Sequence, residues 1–304
     1  MHAQRPATTP TIGVLSPFID SDDPFRGAFE RRLKDLGYVP GRDIRLEYRP
    51  AQGVADRLPR LAQELVALNV DTIVTTSALG AQAAKHATAT IPIIIAGVDD
   101  AVEQGFVSSL ARPGANITGI SWLNTALSAK RVQLLKQVLP ATTRIGYLRE
   151  AVAAASSLGA IEAASRSLGM RVVVIELRGS DEIDSAFSAM VAEGARALIV
   201  DQGPILNARE PQLVALAARH RLPTIFANRR AVEAGALMSY GPNLVALYAR
   251  AADYVQRILK GAKPGSLPVE QPTSFELVVN LRTARTLGVS IPQSVLVGAD
   301  DVIR

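Results

Sequence analysis

The sequence has 304 residues and a hydrophobic content of 48%, which suits two α/β domains of ordinary size, each with its own core. It contains no cysteine, and this excludes disulfide bonds, thiol catalysis and cysteine-based metal sites. The formal net charge of +5 is spread over segments of mixed sign, so it gives little support for a polyanionic partner such as nucleic acid. No apolar run reaches the ~18 residues that a membrane-spanning helix requires.

The N-terminus, MHAQRPATTP, is polar and shows no helix or strand periodicity. The context of Ala3, between a histidine and a glutamine, resembles the remnant of a signal-peptide cleavage site. The first methionine would then have been added for expression. We therefore expect an exported protein whose signal peptide lies outside this sequence. An ordinary cytosolic N-terminus is the alternative.

Strands and helices alternate along the first part of the chain. Thr11–Leu15 is a predicted strand, and residues 16–23 form a polar loop. The following helix starts at Pro24 and has one apolar face. A strand over 44–48 and a leucine-rich helix over 58–68 complete this part.

The segment Val70–Val102 contains one strand–helix–strand crossover, which is the unit of a parallel sheet. Its first strand ends in a hydroxyl-rich break at 75–77, and its second ends at 97–100. Ligands of open α/β sheets bind beyond such carboxyl ends. Free N–H groups and hydroxyls at a helix start favour a carboxylate or phosphate. The alternative is that Thr76 or Ser77 only caps the helix.

A second copy of this unit follows at Arg196–Asn228. Here the apolar run RALIV precedes a polar break, a helix and the proline-led strand LPTIFAN. Aligning the two copies puts Gly97 opposite Asn228 and Thr76 near Asp201. Two similar lobes that face each other would place these polar breaks across one cleft.

The rest of the second half alternates in the same way, with predicted helices over 130–139, 208–219, 244–260 and 282–287 and predicted strands over 144–148, 171–176, 196–200, 224–227, 236–239 and 275–279. Residues 240–243 break the pattern, and the proline-rich segment 264–273 is predicted to be an extended connector. We expect the chain to cross between the lobes near 121–123, 240–244 and 271–275. The helix that starts at Leu244 is expected to pack on the first lobe.

The sequence lacks a dinucleotide-binding loop, a phosphate-binding loop and a nucleophile elbow. Its histidines have no second ligand nearby in sequence, so we interpret them as structural. The acidic pairs at 22–23, 99–100 and 300–301 are better explained by caps and turns than by paired catalytic carboxylates. We therefore expect a reversible binding protein that is not an enzyme and uses neither a cofactor nor a metal.

Four stretches carry a family-level resemblance: Gly37–Gly53 (GYVPGRDIRLEYRPAQG), Ser108–Gly119 (SSLARPGANITG), Ala234–Pro242 (AGALMSYGP) and the long run 254–303. They closely resemble the ABC-transporter substrate-binding family, whose members include bacterial tryptophan- and tyrosine-binding lipoproteins. The resemblance covers nearly all of residues 11–303. It implies an α/β, type I periplasmic-binding-protein fold, with two Rossmann-like lobes of parallel strands, a three-segment hinge and a ligand closed between the lobes.

Three positions depart from the family's pattern. Ala101 stands where a proline is usual, Ala115 where the second of two glycines is usual, and Gly298 where an arginine is usual. Ala101 lies beside the expected ligand site.

We expect the lobes to comprise 11–121 plus 244–270 and 122–243 plus 271–304. The ligand is expected to be a small molecule, amino-acid-like or an aromatic acid, that is bound by hinge closure. The predicted ligand-binding residues are Ser16, Phe18, Thr76, Ser77, Asp99, Trp122, Asp201, Asn228 and Tyr240.

Thr76 and Ser77 would hold a ligand carboxylate, and Asp201 or Asp99 would hold an amino group. The three aromatic side chains would supply apolar walls, with core or hinge packing as the alternative. The expected role is that of a monomeric receptor of an ABC importer, with an inner-membrane permease as partner and no nucleic acid. The alternative is the effector-binding core of a transcriptional regulator that shares this fold.

Overall fold

A computed structural model describes residues 9–17, 24–122, 124–151 and 155–304 of the chain. The chain divides into two compact units, Met1–Trp122 with Leu244–Pro272 and Leu123–Asn243 with Thr273–Arg304. Each unit contains one β-sheet with a hydrophobic core on both of its faces.

The strands are β1 (Thr11–Ser16), β2 (Arg45–Pro50), β3 (Thr72–Thr75), β4 (Ile93–Asp99), β5 (Ile117–Trp122), β6 (Arg144–Glu150), β7 (Arg171–Leu177), β8 (Leu198–Val200), β9 (Thr224–Phe226), β10 (Met238–Pro242), β11 (Phe275–Asn280) and β12 (Asp301–Ile303). The helices are α1 (Pro24–Asp35), α2 (Leu58–Ala67), α3 (Ala78–Ala87), α4 (Asn124–Val138), α5 (Ala155–Ser167), α6 (Ile183–Ala192), α7 (Pro204–Ala208), α8 (Glu210–Arg219), α9 (Arg229–Glu233), α10 (Leu244–Leu259), α11 (Leu281–Leu287) and α12 (Gln293–Val297). Within the described residues, no helix is both long enough and apolar enough to cross a membrane.

The two sheets repeat one strand order. The first sheet has the order β2-β1-β3-β4-β5 with all strands parallel. The second has the order β12-β11-β10-β9-β8-β6-β7, in which β11 runs antiparallel to β10. Its strands β7-β6-β8-β9-β10 therefore match the first sheet one by one. This agrees with the internal repeat in the sequence, because β3–β4 and β8–β9 hold equivalent places.

Burial on both faces explains why the central strands are continuous apolar runs. In β4, Ile93 and Ile95 belong to the core on one face of the sheet, while Ile94 and Ala96 belong to the core on the other. Successive side chains point to opposite faces, so both sets must be apolar.

One glycine in each sheet lets a helix approach its strand closely. A Cβ on Gly13 of β1 would lie 2.9 Å from side-chain atoms of Leu65 on α2. A Cβ on Gly146 of β6 would lie 2.7 Å from the sulfur of Met190 on α6. Gly13 pairs with β3 and Gly146 pairs with β8, and these two strands are equivalent in the repeat. The close approach of a helix is therefore common to both units.

Helix α10 packs on the first sheet although it follows the parallel strands of the second unit in sequence. Its residues Leu247 and Ala251 are buried in the same core as Ile12 of β1 and Ile94 of β4. This is the placement that the sequence predicts for the helix that begins at Leu244.

The predicted end of the strand at Ser239 is wrong, because β10 continues to Pro242. Tyr240 and Gly241 lie in this strand and pair with β11 instead of breaking the pattern. A Cβ at position 241 would lie 1.8 Å from the carbonyl oxygen of Ala227, so glycine allows β10 to continue beside the preceding segment.

The helix predicted over 208–219 corresponds to α8, and the sequence did not predict the short helix α7 that precedes it. The two helices are separated at Arg209, whose φ and ψ of −104° and 14° are not helical. Pro211 in the first turn of α8 has no N–H to donate, which favours a new helix start. The sequence patterns also did not predict α9, α12 and β12, which span only three to five residues.

Candidate functional site

Five of the predicted site residues lie along the carboxyl edge of the first sheet. Ser16, Asp99 and Trp122 are the last residues of β1, β4 and β5. Thr76 and Ser77 directly follow β3. Asp99 and Trp122 are also register partners across β4 and β5. The parallel arrangement therefore brings together polar and aromatic groups that are far apart in sequence.

The start of α3 supplies much of the polarity at this edge. Ser77 is the N-cap residue, and its Oγ accepts a 3.0 Å hydrogen bond from the N–H of Gly80. The hydroxyls of Ser16 and Thr76 are hydrogen-bonded at 2.9 Å. Thr75 Oγ1 is buried without a hydrogen-bond partner and lies against the first helical turn at Gly80. Ser77 therefore has a capping role, and further hydroxyls surround the same helix start.

Trp122 lies over the backbone of Gly97. Gly97 has a φ of 85° and lies where the register between β4 and β5 shifts as a β-bulge. A Cβ on Gly97 would lie 3.3 Å from Cζ3 of Trp122. The indole is half-buried, so part of it packs on the bulge and part lies at the surface of the unit.

The acidic pair after β4 makes two different sets of contacts. Asp100 Oδ1 accepts a 3.0 Å hydrogen bond from the N–H of Glu103, so this carboxylate serves a turn, as the sequence indicates. Asp99 is half-buried, and its backbone carbonyl accepts a hydrogen bond from the side-chain amide of Gln104. Its role as a ligand contact stays a prediction.

In the second unit, Asp201 directly follows β8 and is 4% exposed. Its Oδ2 accepts a 2.5 Å hydrogen bond from the Tyr147 hydroxyl of β6, and its Oδ1 accepts one of 2.9 Å from the N–H of Gln202. Burial is the largest cause that raises the pKa of Tyr147 well above its ordinary value, and the negative charge of Asp201 is the second. The phenol therefore stays protonated at neutral pH and acts as the donor.

A second carboxylate, Glu150, ends β6 and is 3% exposed. Its Oε1 accepts a 2.9 Å hydrogen bond from the N–H of Leu206 in α7. A Cβ on Gly203 would lie 2.3 Å from this oxygen, so the glycine leaves the room that the carboxylate occupies. Burial raises the pKa of Glu150. Hydrogen bonds from N–H groups of α7 act to lower this pKa, and the negative charge of Asp201 acts to raise it further.

Arg131 on α4 is 1% exposed and lies at the same edge of the second sheet. Its Nε donates a 2.8 Å hydrogen bond to the carbonyl oxygen of Tyr240. The positive charges of Arg149 and Arg131 act to lower the pKa of Tyr147, so both guanidinium groups lie near the phenol. Buried groups of both signs therefore meet at the ends of β6, β8 and β10.

Asn228 and Tyr240 have partners within their unit. Asn228 Oδ1 accepts a 3.3 Å hydrogen bond from the N–H of Ala231 as the N-cap of α9, and its Nδ2 donates one of 2.8 Å to Glu210. The half-buried ring of Tyr240 lies 6.2 Å from the ring of Phe275. Both residues have visible structural roles, and their contact with a ligand stays a prediction.

Phe18 lies outside the described residues. Within the described part of the chain, no group of three or more His, Asp or Glu side chains is placed to hold a metal ion.

The sequence patterns predicted Asp201 but missed three other buried charged residues of the second unit, Arg131, Arg149 and Glu150. Arg149 and Glu150 follow an apolar run, and β6 matches β1 in the repeat, so the carboxyl-edge argument applied to Ser16 extends to them. Arg131 carries no such signal, because its burial depends on how α4 packs.

Residues 12–303 match the sequence model of a family described as ABC transporter substrate binding protein. The chain belongs to this family. The resemblance indicated by the sequence motifs is thereby confirmed. A tyrosine-binding protein of Clostridioides difficile (strain R20291) is 28% identical to this substrate-binding protein over 267 residues, which is 87% of this chain and 76% of that protein.

Two solved structures are similar to this substrate-binding protein over 97% of its chain and 100% of theirs. One is an ABC domain in complex with L-Trp from Streptococcus pneumoniae, with 26% identity and a TM-score of 0.91. The other is a conserved domain protein from Vibrio cholerae, with 30% identity and a TM-score of 0.91. The substrate-binding protein has the α/β fold of type I periplasmic binding proteins, with two units whose sheets consist mainly of parallel strands.

Proposed function

We propose that this substrate-binding protein is the periplasmic receptor of an ABC importer and delivers an amino-acid-like molecule to an inner-membrane permease. Membership of the family supports the general part of this proposal and favours it over a transcriptional regulator. The observation that carries the ligand class is the hydroxyl-rich start of α3 at the carboxyl edge of the first sheet.

A carboxylate suits the start of α3. The helix dipole and the first-turn N–H groups favour an anion there. The first turn of α3 contains no acidic residue, so the helix itself supplies no carboxylate that would compete for this position. Ser16 and Thr76 add hydroxyl donors beside it. We propose that the ligand carboxylate binds at this helix start, with Ser77 serving mainly as the cap.

An ammonium group suits Asp201. A carboxylate at the end of a strand accepts charge-assisted hydrogen bonds, which are stronger than neutral ones. Its hydrogen bonds to Tyr147 and the Gln202 N–H hold it in one orientation. We propose that it receives the ammonium group when the two units close on the ligand.

An aromatic side chain on the ligand is supported by two further observations. Trp122 places a half-buried indole at the edge where the carboxylate would bind. The relatives include a protein named for tyrosine binding and a structure that contains L-Trp. L-Tryptophan and L-tyrosine are therefore the first ligands to test.

Titration calorimetry tests the two charged contacts separately. We expect L-tryptophan to bind, and both indolepropionate, which lacks the ammonium, and tryptamine, which lacks the carboxylate, to bind much more weakly. Asp201→Asn keeps the shape of the side chain but removes its charge, and should weaken L-tryptophan binding by about 1.5–3 kcal/mol. Asp184→Asn changes an exposed carboxylate on α6 and should leave binding unchanged.

Equal affinity for L-tryptophan and indolepropionate would show that no ammonium contact exists. Equal affinity for L-tryptophan and tryptamine would likewise remove the start of α3 as the carboxylate site. If neither amino acid binds and a thermal-shift screen of amino acids and aromatic acids gives no response, the proposed ligand class is wrong.

A further inference from the structure

The second sheet contains a buried tyrosine at a position where the first sheet has a valine. Tyr147 pairs with Ile199 of β8, and the matching residue Val14 pairs with Val74 of β3. Tyr147 is 0% exposed and belongs to the core that includes Val132 on α4. An aliphatic side chain meets the packing requirement in one repeat, so packing alone does not call for a hydroxyl in the other.

The Tyr147 hydroxyl reaches along the face of the sheet to the end of β8. There it donates its 2.5 Å hydrogen bond to Oδ2 of Asp201. Oδ1 of the same carboxylate accepts from the N–H of Gln202. These two hydrogen bonds approach the carboxylate from two directions and fix its plane.

The surrounding charges keep the hydrogen bond in one direction. Burial and the carboxylate of Asp201 raise the pKa of Tyr147, and the guanidinium groups of Arg149 and Arg131 only partly oppose this. The phenol therefore holds its proton throughout the physiological pH range. Asp201 is consequently always the acceptor in this pair.

We infer that Tyr147 is a positioning residue, which orients the Asp201 carboxylate toward the ammonium group of the ligand and thereby sets the preference for amino acids over their deaminated analogues. This inference rests on the proposed function. Tyr147 is 0% exposed and its hydroxyl donates to Asp201, so the role we assign to it acts through Asp201 and not through direct contact with the ligand. Orientation matters because the strength of a hydrogen bond falls steeply as its angle departs from linearity.

The experiment compares Tyr147→Phe with the wild-type protein. The measured quantity is the ratio of the affinities for L-tryptophan and indolepropionate, which differ only in the ammonium group. Phenylalanine keeps the ring and removes the hydroxyl, so the ratio should fall about tenfold while indolepropionate binding stays the same.

Tyr48→Phe is the matched control. The hydroxyl of Tyr48 on β2 also donates to a carboxylate, Glu30 of α1 at 2.9 Å, but this pair lies in the first unit and does not involve Asp201. Both variants should lose stability through a missing tyrosine–carboxylate hydrogen bond. Only Tyr147→Phe should change the affinity ratio.

The outcomes separate this inference from the proposed function. A wild-type protein that does not distinguish L-tryptophan from indolepropionate would overturn both this inference and the ammonium contact in the proposed function. A wild-type preference that survives Tyr147→Phe would overturn the positioning role and leave the proposed function standing. If the phenylalanine variant does not fold, fluorotyrosine at position 147 keeps the ring and hydroxyl but strengthens the donor. The ratio must then change from the wild-type value, and an identical ratio would overturn the inference.

Discussion

The contact between Trp122 and Gly97 makes the first sheet's edge experimentally accessible. Trp122 is the only tryptophan in the sequence, so fluorescence excited selectively at tryptophan reports from this one position. The indole lies on a backbone segment with a φ of 85°, which glycine adopts without strain.

We expect Gly97→Ala to disturb the backbone and the indole together. The added Cβ would be strained at this φ and would lie 3.3 Å from the Trp122 ring. Unfolding by denaturant should show a loss of about 1–2 kcal/mol, the usual cost of a left-handed non-glycine residue. The emission maximum of Trp122 should shift at the same time.

Gly105→Ala is the control for this experiment. Gly105 has a φ of 68°, but a Cβ there meets no atom within 4 Å. It should lose a similar amount of stability without any change in emission. An unchanged emission spectrum in Gly97→Ala would contradict the contact between the ring and the bulge.

At the scale of elements, the segment that leads out of the first unit is attached along β5. After a 3₁₀ turn at Pro264–Ser266, it runs beside the edge strand. The N–H of Glu270 donates to Gly119 at 2.9 Å, and the N–H of Ser121 donates to the Glu270 carbonyl at 2.9 Å. The sequence predicts an extended connector here. Most of the segment is extended because its backbone pairs with β5 at the edge of the sheet.

The side chain of Glu270 ties this connector to α10. Two nitrogens of Arg250 donate to its two carboxylate oxygens, each at 2.7 Å. These hydrogen bonds hold the pKa of Glu270 below its ordinary value, although partial burial opposes the shift. A carboxyl group whose pKa is lowered on folding stabilises the fold above its unfolded pKa, and loses that effect as the pH falls through the folded value.

We therefore expect Glu270→Gln to destabilise the protein by about 1 kcal/mol at pH 7, a value discounted because the pair is partly exposed to solvent. The difference in unfolding free energy between wild type and variant should shrink as the pH falls below about 4.3, the value for an unfolded glutamate. Denaturant titrations across pH measure it directly.

Glu233→Gln breaks a more exposed pair with Arg229 on α9 and serves as the control. Its effect should stay within about 0.5 kcal/mol. A Glu270→Gln effect that is equally small, or that does not depend on pH, would show that the connector is held by its backbone hydrogen bonds alone.

At the scale of the whole molecule, the duplicated strand order provides two carboxyl edges, one in each unit, with different polar groups. The first unit offers a helix start and hydroxyls, and the second offers buried carboxylates. Under the proposed function a zwitterionic ligand uses groups of both units, so we expect binding to favour a closed arrangement over an open one.

We expect small-angle X-ray scattering to show a smaller radius of gyration when L-tryptophan is added. At a ligand concentration 100 times the dissociation constant, the folded state should also gain about 2.7 kcal/mol. Asp201→Asn should need more ligand for the same change in scattering. Stabilisation without any change in scattering would argue against hinge closure as the response to the ligand.

Local sequence patterns predict much of the fold. The apolar runs at Ile93–Ala96 and Leu198–Val200 are buried strands because both faces of each sheet are covered. The polar residues that follow such runs, Ser16, Thr76 and Asp201, lie at carboxyl edges because all these strands are parallel. These features depend on neighbours in sequence, which is why composition and periodicity predict them.

Only the tertiary structure decides which of these residues meet. Tyr147 and Asp201 are 54 positions apart, and their hydrogen bond exists because β6 and β8 are adjacent. Glu150 is buried because Gly203 leaves room for it, and β10 reaches Pro242 because Gly241 allows it to continue beside Ala227. Strand neighbours and close approaches depend on the packing of distant segments, so no local pattern contains them.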